Sequence, residues 1–367
     1  MPEVSALRKH PCPECGGDAE WNAAKQALAC PFCGTLVPWS EGGTPLGTTI
    51  VEHDLAQALA ESTTAQPGAQ TEKKSVKCES CQAISVFDAE RVAQRCDFCG
   101  SPAIMPFADL HDTLTPESLL PVVIASTQVR DQLRTWYASR WFAPDKLKRT
   151  ALTDTLQGVY LPYWTFDAKV DATWTAQSGY HYYVTEEVRD SEGRTQTRQV
   201  QKTRWEDSAG QLSHFFDDEL VPGTVGVHLK LLRKVEPFPT TSELKPYDPA
   251  YVRGWTVERY QVDLQQAAAT SQTQMDATVY QLCDRQVPGD THRNLQVASD
   301  YQARTFKHIL VPIWLVSYNY GAKSFQVVVN GHTGKIAGEH PLSWIKITLA
   351  IIAAIVLILL LMALANR

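Results

Sequence analysis

Two cysteine quartets of identical spacing constrain the fold of this chain more than any other feature. Each quartet has the pattern Cys-x2-Cys-x14-Cys-x2-Cys. The first comprises Cys12, Cys15, Cys30 and Cys33, and the second comprises Cys78, Cys81, Cys96 and Cys99. A turn across each Cys-x2-Cys pair points two sulfurs at one ion, and four thiolates close a tetrahedral zinc site without leaving a position for water. We therefore predict two structural Zn²⁺ ions, held by two small zinc ribbons at 1–40 and 76–108.

Disulfide bonding is the alternative use of such pairs. Residues 1–5 lack the apolar core of a secretory signal, so we expect the chain to stay in a reducing compartment. There, cysteine quartets bind metal more often than they form disulfides. The sequence therefore favours thiolate ligands over paired cystines.

The repeat extends beyond the cysteines. Aligning the quartets places Trp21 on Phe87, Phe32 on Phe98 and Gly34 on Gly100. The 14-residue spacer suits a short β-hairpin that brings the two ends of each quartet together. Residues 41–75 have the composition of a linker, with a short helix and a flexible stretch at 63–70. We therefore predict that the two ribbons fold as separate units.

The charge distribution bears on possible partners. The net charge is −6, and residues 1–110 carry 8 Lys and Arg against 14 Asp and Glu, whereas the remainder is balanced. A four-thiolate zinc site adds about −2 more. Because an acidic surface repels phosphate, nonspecific nucleic-acid binding by this region is disfavoured.

The pattern of predicted helices and strands in residues 119–342 is typical of an α+β domain with antiparallel sheets. We predict a strand at 120–124, a helix at 126–141 with Val129, Leu133, Trp136 and Tyr137 on one face, and a helix at 227–235. The segment 158–167 reads as a strand, and Pro162 within it predicts an edge position. Asn330-Gly331 predicts a two-residue turn in a terminal hairpin at 327–336.

An internal sequence repeat indicates two related halves in this domain. Val159-Tyr160-Leu161-Pro162-Tyr163-Trp164 resembles Ile309-Leu310-Val311-Pro312-Ile313-Trp314. A predicted helix precedes each segment, the second at 263–284. Aromatic-rich strands follow each segment.

The chain closes with an apolar run. Ile347 to Ala365 is 19 residues with Thr348 as the single polar side chain. At about 1.5 Å per residue it is roughly 28 Å long, close to the hydrocarbon thickness of a bilayer. We predict a transmembrane helix at 344–365 that contacts lipid and makes the protein tail-anchored and single-pass in the inner (plasma) membrane. Lys335 and Lys346 before the span favour a cytoplasmic N-terminal bulk.

Motifs of catalysis are missing from the sequence. It contains no phosphate-binding Gly-x4-Gly-Lys-Ser/Thr loop, no His-Glu-x2-His and no Gly-x-Ser-x-Gly. His181 among tyrosines is better explained by a sheet surface, and Cys283 by a buried core position. We therefore predict no catalytic residues, no bound organic cofactor and a protein that is not an enzyme, although an apolar pocket or groove near Trp164 and Trp314 stays open.

Several segments are similar to those of a bacterial family of membrane-anchored zinc-ribbon proteins of the transcription factor IIB type, often labelled primosomal or replication-restart helicase-like. They are Leu161-Pro162-Tyr163-Trp164, Tyr251-Val252-Arg253-Gly254-Trp255, Thr305-Phe306-Lys307-His308, Gly321-Ala322-Lys323-Ser324-Phe325 and Asn330-Gly331-His332-Thr333-Gly334. The resemblance implies the eight quartet cysteines as metal ligands. It implies no helicase activity, because the nucleotide-binding loop is missing.

These observations favour a membrane-anchored adaptor that recruits protein partners at the cytoplasmic face. Two alternatives stay open, a nucleic-acid-binding membrane protein and a membrane-tethered enzyme or ligand-binding protein with a cleft in the α+β domain.

Overall fold

The fold was analysed in a computed structural model of the chain. The structure describes residues 11–38, 50–62, 74–87, 96, 98, 101, 104–107, 116–144, 156–189, 195–320 and 323–365. Cys99 and the predicted flexible stretch at 63–70 lie outside these residues.

The described elements are fourteen strands, six α-helices and a short 3-10 helix at Pro249–Val252. The strands are β1 (Glu20–Asn22), β2 (Ala27–Ala29), β3 (His53–Asp54), β4 (Lys74–Cys78), β5 (Ile84–Phe87), β6 (Ile104–Phe107), β7 (Ser118–Leu119), β8 (Leu156–Arg189), β9 (Thr195–Pro222), β10 (Lys245–Pro246), β11 (Thr256–Glu258), β12 (Thr291–Tyr320), β13 (Lys323–Asn330) and β14 (Ile336–Gly338). The helices are α1 (Leu55–Ser62), α2 (Ser126–Ala138), α3 (Leu229–Val235), α4 (Thr240–Glu243), α5 (Leu264–Asp284) and α6 (Trp344–Ala365).

A large mixed sheet forms the body of the molecule. Its central path runs β10-β7-β12-β8-β11-β5-β4-β6, and β3, β9, β13 and β14 attach beside it. Most pairings are antiparallel, as predicted, but β7 with β12 and β11 with β8 are parallel. Residues 159–168 of β8 are buried on both faces, whereas burial alternates from Ala168 to Ala176. The core therefore lies around the first third of β8, and the rest of the strand has one solvated face.

Strands β8 and β9 continue as a long hairpin arm. They stay paired from Tyr163↔Pro222 to Arg189↔Thr195, and β12 accompanies them as far as Thr291↔Gly179. Helix α5 packs on this arm through a cluster that includes Met275, Val279 and Cys283. Burial of Cys283 agrees with its interpretation as a core residue.

Two helices match their predictions closely, although α2 ends at Ala138, three residues before its predicted end. In α2, Val129, Leu133, Trp136 and Tyr137 are the buried residues, because they share one helical face. In α5, the Asp263 side chain accepts a hydrogen bond of 2.8 Å from Gln266 N, which fixes the helix start.

Two local predictions are wrong. Residues 120–124 are not a strand, since β7 ends at Leu119. The loop after Asn330 is longer than two residues, because Asn330 N bonds to Lys335 O and Gly334 N bonds to Asn330 O, with Gly334 at a φ of 75°. The hairpin itself is present, with Val329 opposite Ile336.

The predicted edge position of Pro162 is also wrong, because β8 is central in the sheet. On one side Pro162 lies opposite Leu310 of β12. On the other side β8 pairs with β11 at Val159 and Tyr160, and with β9 from Tyr163 onward. Pro162 falls where the strand changes neighbours, so its missing N–H costs no ladder bond.

Matching contacts relate the two similar segments around Pro162 and Pro312, which lie in β8 and β12. Pro312 of β12 also falls between two neighbours, β7 and β13. The same hydrogen bonds then occur in both places, in three pairs. The proline carbonyls accept from a glycine, Gly223 N to Pro162 O at 2.9 Å and Gly331 N to Pro312 O at 2.8 Å. The tryptophan two residues after each proline donates to a backbone carbonyl, Trp164 Nε1 to Val262 O at 3.0 Å and Trp314 Nε1 to Ile124 O at 2.8 Å. The carbonyl of each glycine in turn accepts a backbone bond, Gln261 N to Gly223 O at 2.8 Å and Val123 N to Gly331 O at 2.9 Å.

The two cysteine-rich regions are not separate units, because both pack against the α+β domain. We call the described residues 11–38 module 1 and the described residues between 74 and 107 module 2. Strand β5 of module 2 pairs with β11, which makes this module part of the large sheet. Trp21 of module 1 packs 4.5 Å from the ring of Tyr251. Ala19, Trp21 and Leu28 of module 1 are buried in one core cluster of the domain, and Cys78, Ala83 and Phe98 of module 2 are buried in another, so both modules share the core of the domain.

Helix α6 differs from every other described element in its surface. From Trp344 to Leu364 it is 21 residues long, and it contains an 18-residue window with a mean hydropathy of 3.2 and no buried residue. It is the one described helix long and apolar enough to cross a membrane.

Candidate metal centres

Four cysteines of module 1 converge on one point, which we call site 1. The sulfurs of Cys12, Cys15, Cys30 and Cys33 all lie within 4.8 Å of one another. Cys12 and Cys33 sulfurs are 3.5 Å apart, and those of Cys15 and Cys30 are 3.4 Å apart. Hairpin β1–β2, with Trp21 opposite Leu28, brings the two halves of the quartet together.

Each Cys-x2-Cys pair is shaped by the same backbone turn. In site 1, Cys12 N bonds to Gly17 O and Gly16 N to Cys12 O, while Cys30 N bonds to Thr35 O and Gly34 N to Cys30 O. Gly16 and Gly34 have φ values of 72° and 76°, a region in which glycine meets no steric penalty. The turn thus explains why a glycine directly follows the second cysteine of each pair in site 1.

Three cysteines of module 2 converge in site 2. The ligand atoms of Cys78, Cys81 and Cys96 lie within 4.8 Å of one another, with the sulfurs of Cys81 and Cys96 at 3.6 Å. The turn is repeated, since Cys78 N bonds to Ala83 O, Gln82 N to Cys78 O and Cys96 N to Ser101 O. Cys99, the predicted fourth ligand, lies outside the described residues.

The donor sets fit a tetrahedral thiolate-binding ion. Zinc–sulfur bonds of about 2.3 Å place tetrahedral sulfurs roughly 3.8 Å apart, near the separations found here. Phe98 N donates to Cys96 Sγ at 3.4 Å, the kind of N–H···S contact that stabilises a thiolate. At site 1, hydrogen bonding by Thr35 lowers the pKa of Cys33 to about 6. For Cys15, the hydrogen bond from the Gly17 backbone lowers the pKa, but hydrogen bonds with Cys30 and Cys33 raise it overall, so one thiol of the quartet ionises more readily than another. Both clusters can therefore hold a metal ion.

The two sites differ in the surroundings of their second turn. Phe32, between Cys30 and Cys33, is 80% exposed, whereas Phe98, at the matching place in site 2, is fully buried. Phe98 joins the core cluster of Leu161, Val311 and Leu315. Its carbonyl accepts hydrogen bonds from Ser317 Oγ and from Gln326 Nε2.

A charged cluster that sequence reasoning missed lies between β8, β9 and β12. Lys307 Nζ is 2.7 Å from Asp218, 3.9 Å from Asp167 and 3.2 Å from Glu52. Burial lowers the pKa of Lys307, but its hydrogen bond to Asp218 and the negative charge of that residue raise it overall. Asp167, Asp217 and Asp218 are close enough to share a cation, but Lys307 already supplies the positive charge. The sequence signal that could have predicted this cluster is the presence of charged residues inside apolar strand segments.

Other sequence candidates lie apart from the cysteine sites. His181, on the hairpin arm, shares a hydrogen bond with the Thr203 hydroxyl. An open depression on the arm is lined by Thr175, Ala176, Gln177, Asp207, Ser208, Ala209, Asn294 and Gln296. Asp207 is its one ionisable residue, and it accepts a hydrogen bond from Gln177.

Comparisons with known proteins give one distant relative. The chain is 24% identical over 343 residues to Uncharacterized protein YdjG of Bacillus subtilis (strain 168), an alignment that covers 90% of this chain and 89% of the relative. No family model matches the chain, and no solved structure matches it.

Proposed function

We propose that this protein is a non-enzymatic, membrane-anchored adaptor in which two zinc-binding modules have different roles. Module 1 contacts a protein partner, and module 2 stabilises the domain. The proposal keeps two structural Zn²⁺ ions, one for each cysteine quartet, and a ribbon fold of the transcription factor IIB type for both modules.

The opposite exposure of Phe32 and Phe98 carries the proposal. A large aromatic side chain left 80% exposed at the tip of a rigid turn loses the favourable burial that its counterpart has. Exposed aromatic residues on a fixed backbone are typical anchors of protein interfaces. Leu36, 52% exposed in the same module, extends the apolar surface.

The charge of module 1 narrows the chemistry of the partner. Its described residues include Glu14, Asp18 and Glu20, with Lys25 as the one cation, and four zinc-bound thiolates add further negative charge. Such a surface repels a phosphate backbone. We expect a protein that presents an apolar pocket flanked by lysine or arginine.

Helix α6 supports attachment to a membrane. It is long enough to cross the hydrocarbon core, and its unburied apolar surface requires lipid or protein around it. Thiolate ligands need a reducing compartment, so we place the modules on the cytoplasmic side of the inner membrane. Matching hydrogen bonds around Pro162 and Pro312 also support the interpretation that the α+β domain consists of two related halves.

The test compares Phe32→Asp with Phe215→Asp in the full-length protein. Phe215 is also exposed, at 58%, but lies on β9. After chemical crosslinking in cells and purification in detergent, we expect Phe32→Asp to lose a crosslinked partner that the wild type and Phe215→Asp retain, with zinc content unchanged.

The adaptor proposal fails if Phe32→Asp retains every crosslinked protein at the wild-type level. Tight, salt-sensitive binding of DNA or RNA by the wild type that Phe32→Asp abolishes would favour the nucleic-acid alternative instead.

A further inference from the structure

An exposed aromatic loop lies beside the start of α6. Trp141 is 76% exposed and Phe142 40% exposed, immediately after α2. Leu342, just before α6, is 56% exposed, and Trp344 and Ile345, the first residues of α6, are 81% and 75% exposed. Together they form one apolar surface, which we call the aromatic collar.

Hydrogen bonds fix the collar to the helix. Lys346 Nζ donates to Trp141 O at 3.3 Å and to Ala143 O at 3.0 Å. Ser343 N donates to Phe142 O at 2.8 Å. Ala143 is fully buried, so the loop is anchored on its inner side while its two aromatic rings face outward.

These contacts provide hydrogen-bond acceptors for a lysine in the first turn of a helix whose one other polar side chain is Thr348. A lysine near the end of a membrane helix normally extends its ammonium group toward the interface. Here the same ammonium group holds the loop of Trp141 at the level of the helix start. Tryptophan favours this depth, because its ring is apolar while its N–H can still reach water or headgroups.

We propose that the aromatic collar inserts Trp141 and Phe142 into the membrane interface and so fixes the orientation of the domain on the bilayer. The proposal rests on the membrane span of α6 proposed above. The occupant is lipid, because the exposed rings are continuous with a helix none of which is buried by the protein. A second anchor beside the helix would restrict rotation and tilt of the domain, and therefore the side on which module 1 is presented.

The test uses quenching of tryptophan fluorescence by brominated lipid. The full-length protein is reconstituted into phosphatidylcholine–phosphatidylglycerol vesicles, with the phosphatidylcholine either unlabelled or brominated near the top of the acyl chains. The difference in emission between the two preparations measures the tryptophans at that depth. It is recorded for the wild type and for Trp141→Phe, Trp344→Phe and Trp205→Phe.

Trp344 reports on helix insertion. Trp205 is the control away from the collar, because it lies on the hairpin arm with the guanidinium carbon of Arg293 4.1 Å from its ring centroid. We expect Trp141→Phe and Trp344→Phe each to remove part of the quenched emission, and Trp205→Phe to remove none. If Trp344→Phe lowers the quenched emission and Trp141→Phe does not, the collar is not in lipid and the inference is overturned, whereas the span survives. If neither variant changes it, both the inference and the membrane span are overturned.

Discussion

The two cysteine modules share a spacing and a backbone turn, but they meet the rest of the molecule in opposite ways. Module 1 packs the far side of its hairpin, through Trp21 and Leu28, into a core cluster with Tyr160 and Tyr251 of the domain, and leaves Cys15, Cys33 and Phe32 exposed. Module 2 turns its cysteines inward, so Cys78, Cys96 and Phe98 belong to the main core. The same cysteine pattern can thus form part of an exposed surface or part of a core, depending on which face of the module is covered.

The largest expected contrast is between loss of a metal ligand in each module. Because a structural zinc contributes its binding free energy to folding, Cys96→Ser should destabilise the whole domain by several kcal/mol. Cys30→Ser should unfold module 1 and lower the main thermal transition less than Cys96→Ser does, because it uncovers only the cluster that Trp21 and Leu28 share with the domain. Thermal unfolding followed by circular dichroism and zinc analysis of each variant checks this. Cys283→Ser, whose thiol lies outside both sites, should keep the full zinc content.

Phenylalanine truncation tests the same contrast without touching a ligand. Phe98→Ala should destabilise the domain by about 3–5 kcal/mol, the range for removing a buried aromatic ring. Phe32→Ala should change the free energy of unfolding by less than about 0.5 kcal/mol, since exposed side chains contribute little. Denaturant unfolding of both variants in detergent measures the difference. Equal destabilisation by the two variants would mean that the modules do not differ in burial.

A buried carboxyl at the boundary between module 2 and the domain predicts a pH dependence. Burial raises the pKa of Glu258 to about 8, against hydrogen bonds from Thr224 and from Gln261, at 2.7 Å, that lower it. The folded state therefore holds a proton that the unfolded state releases near pH 4.5. Stability is full below that pH and falls as pH rises through about 8, by on the order of a few kcal/mol.

Hydrogen exchange of β5 and β11 between pH 5 and pH 9, corrected for the intrinsic exchange rate, measures this effect. Module 1 serves as the internal reference. Glu258→Gln should flatten the pH dependence, because the amide keeps the hydrogen-bonding shape without ionising. A wild-type slope that persists in Glu258→Gln would assign it to another group.

The smallest expected effect concerns the turn that both modules share. Gln82 has a φ of 64° at the position that Gly16 holds in module 1. Replacing it by glycine removes the side-chain strain of that conformation, so Gln82→Gly should stabilise the domain by about 1 kcal/mol. Gly16→Ala should weaken module 1 by a similar amount. Melting temperatures and zinc retention measure the two changes, and destabilisation by Gln82→Gly would show that its hydrogen bond to Glu79 O outweighs the strain.

Local patterns predicted most of what depends on short stretches of sequence. The cysteine turns, the buried face of α2, the start of α5 and the apolar helix α6 follow from spacing, capping and periodicity. Long-range pairing was harder to predict. Pro162 suggested an edge because nothing local shows that β11 ends and β9 begins around it. The docking of module 2 depends on β11, which is about 170 residues further along the chain.

The candidate sites show the same division. All eight candidate ligands were predicted from spacing, and the structure brings together seven of these cysteines, the eighth lying outside the described residues. The different exposure of Phe32 and Phe98 was not predictable, because the two segments around them are similar in sequence. The ion cluster of Lys307 required the pairing of β8 with both β9 and β12, which only the fold supplies.

Stepwise removal of zinc tests most directly whether the two modules have different roles. The full-length protein in detergent is titrated with a chelator while native mass spectrometry counts the bound ions and hydrogen exchange locates the unfolded segments. We predict two ions at the start, and loss of the first with increased exchange at 11–38 and at residues 247–252, which this module covers. The second should leave only when the large sheet itself unfolds. A single ion per chain, or first loss from module 2 with the domain still protected, would contradict this account.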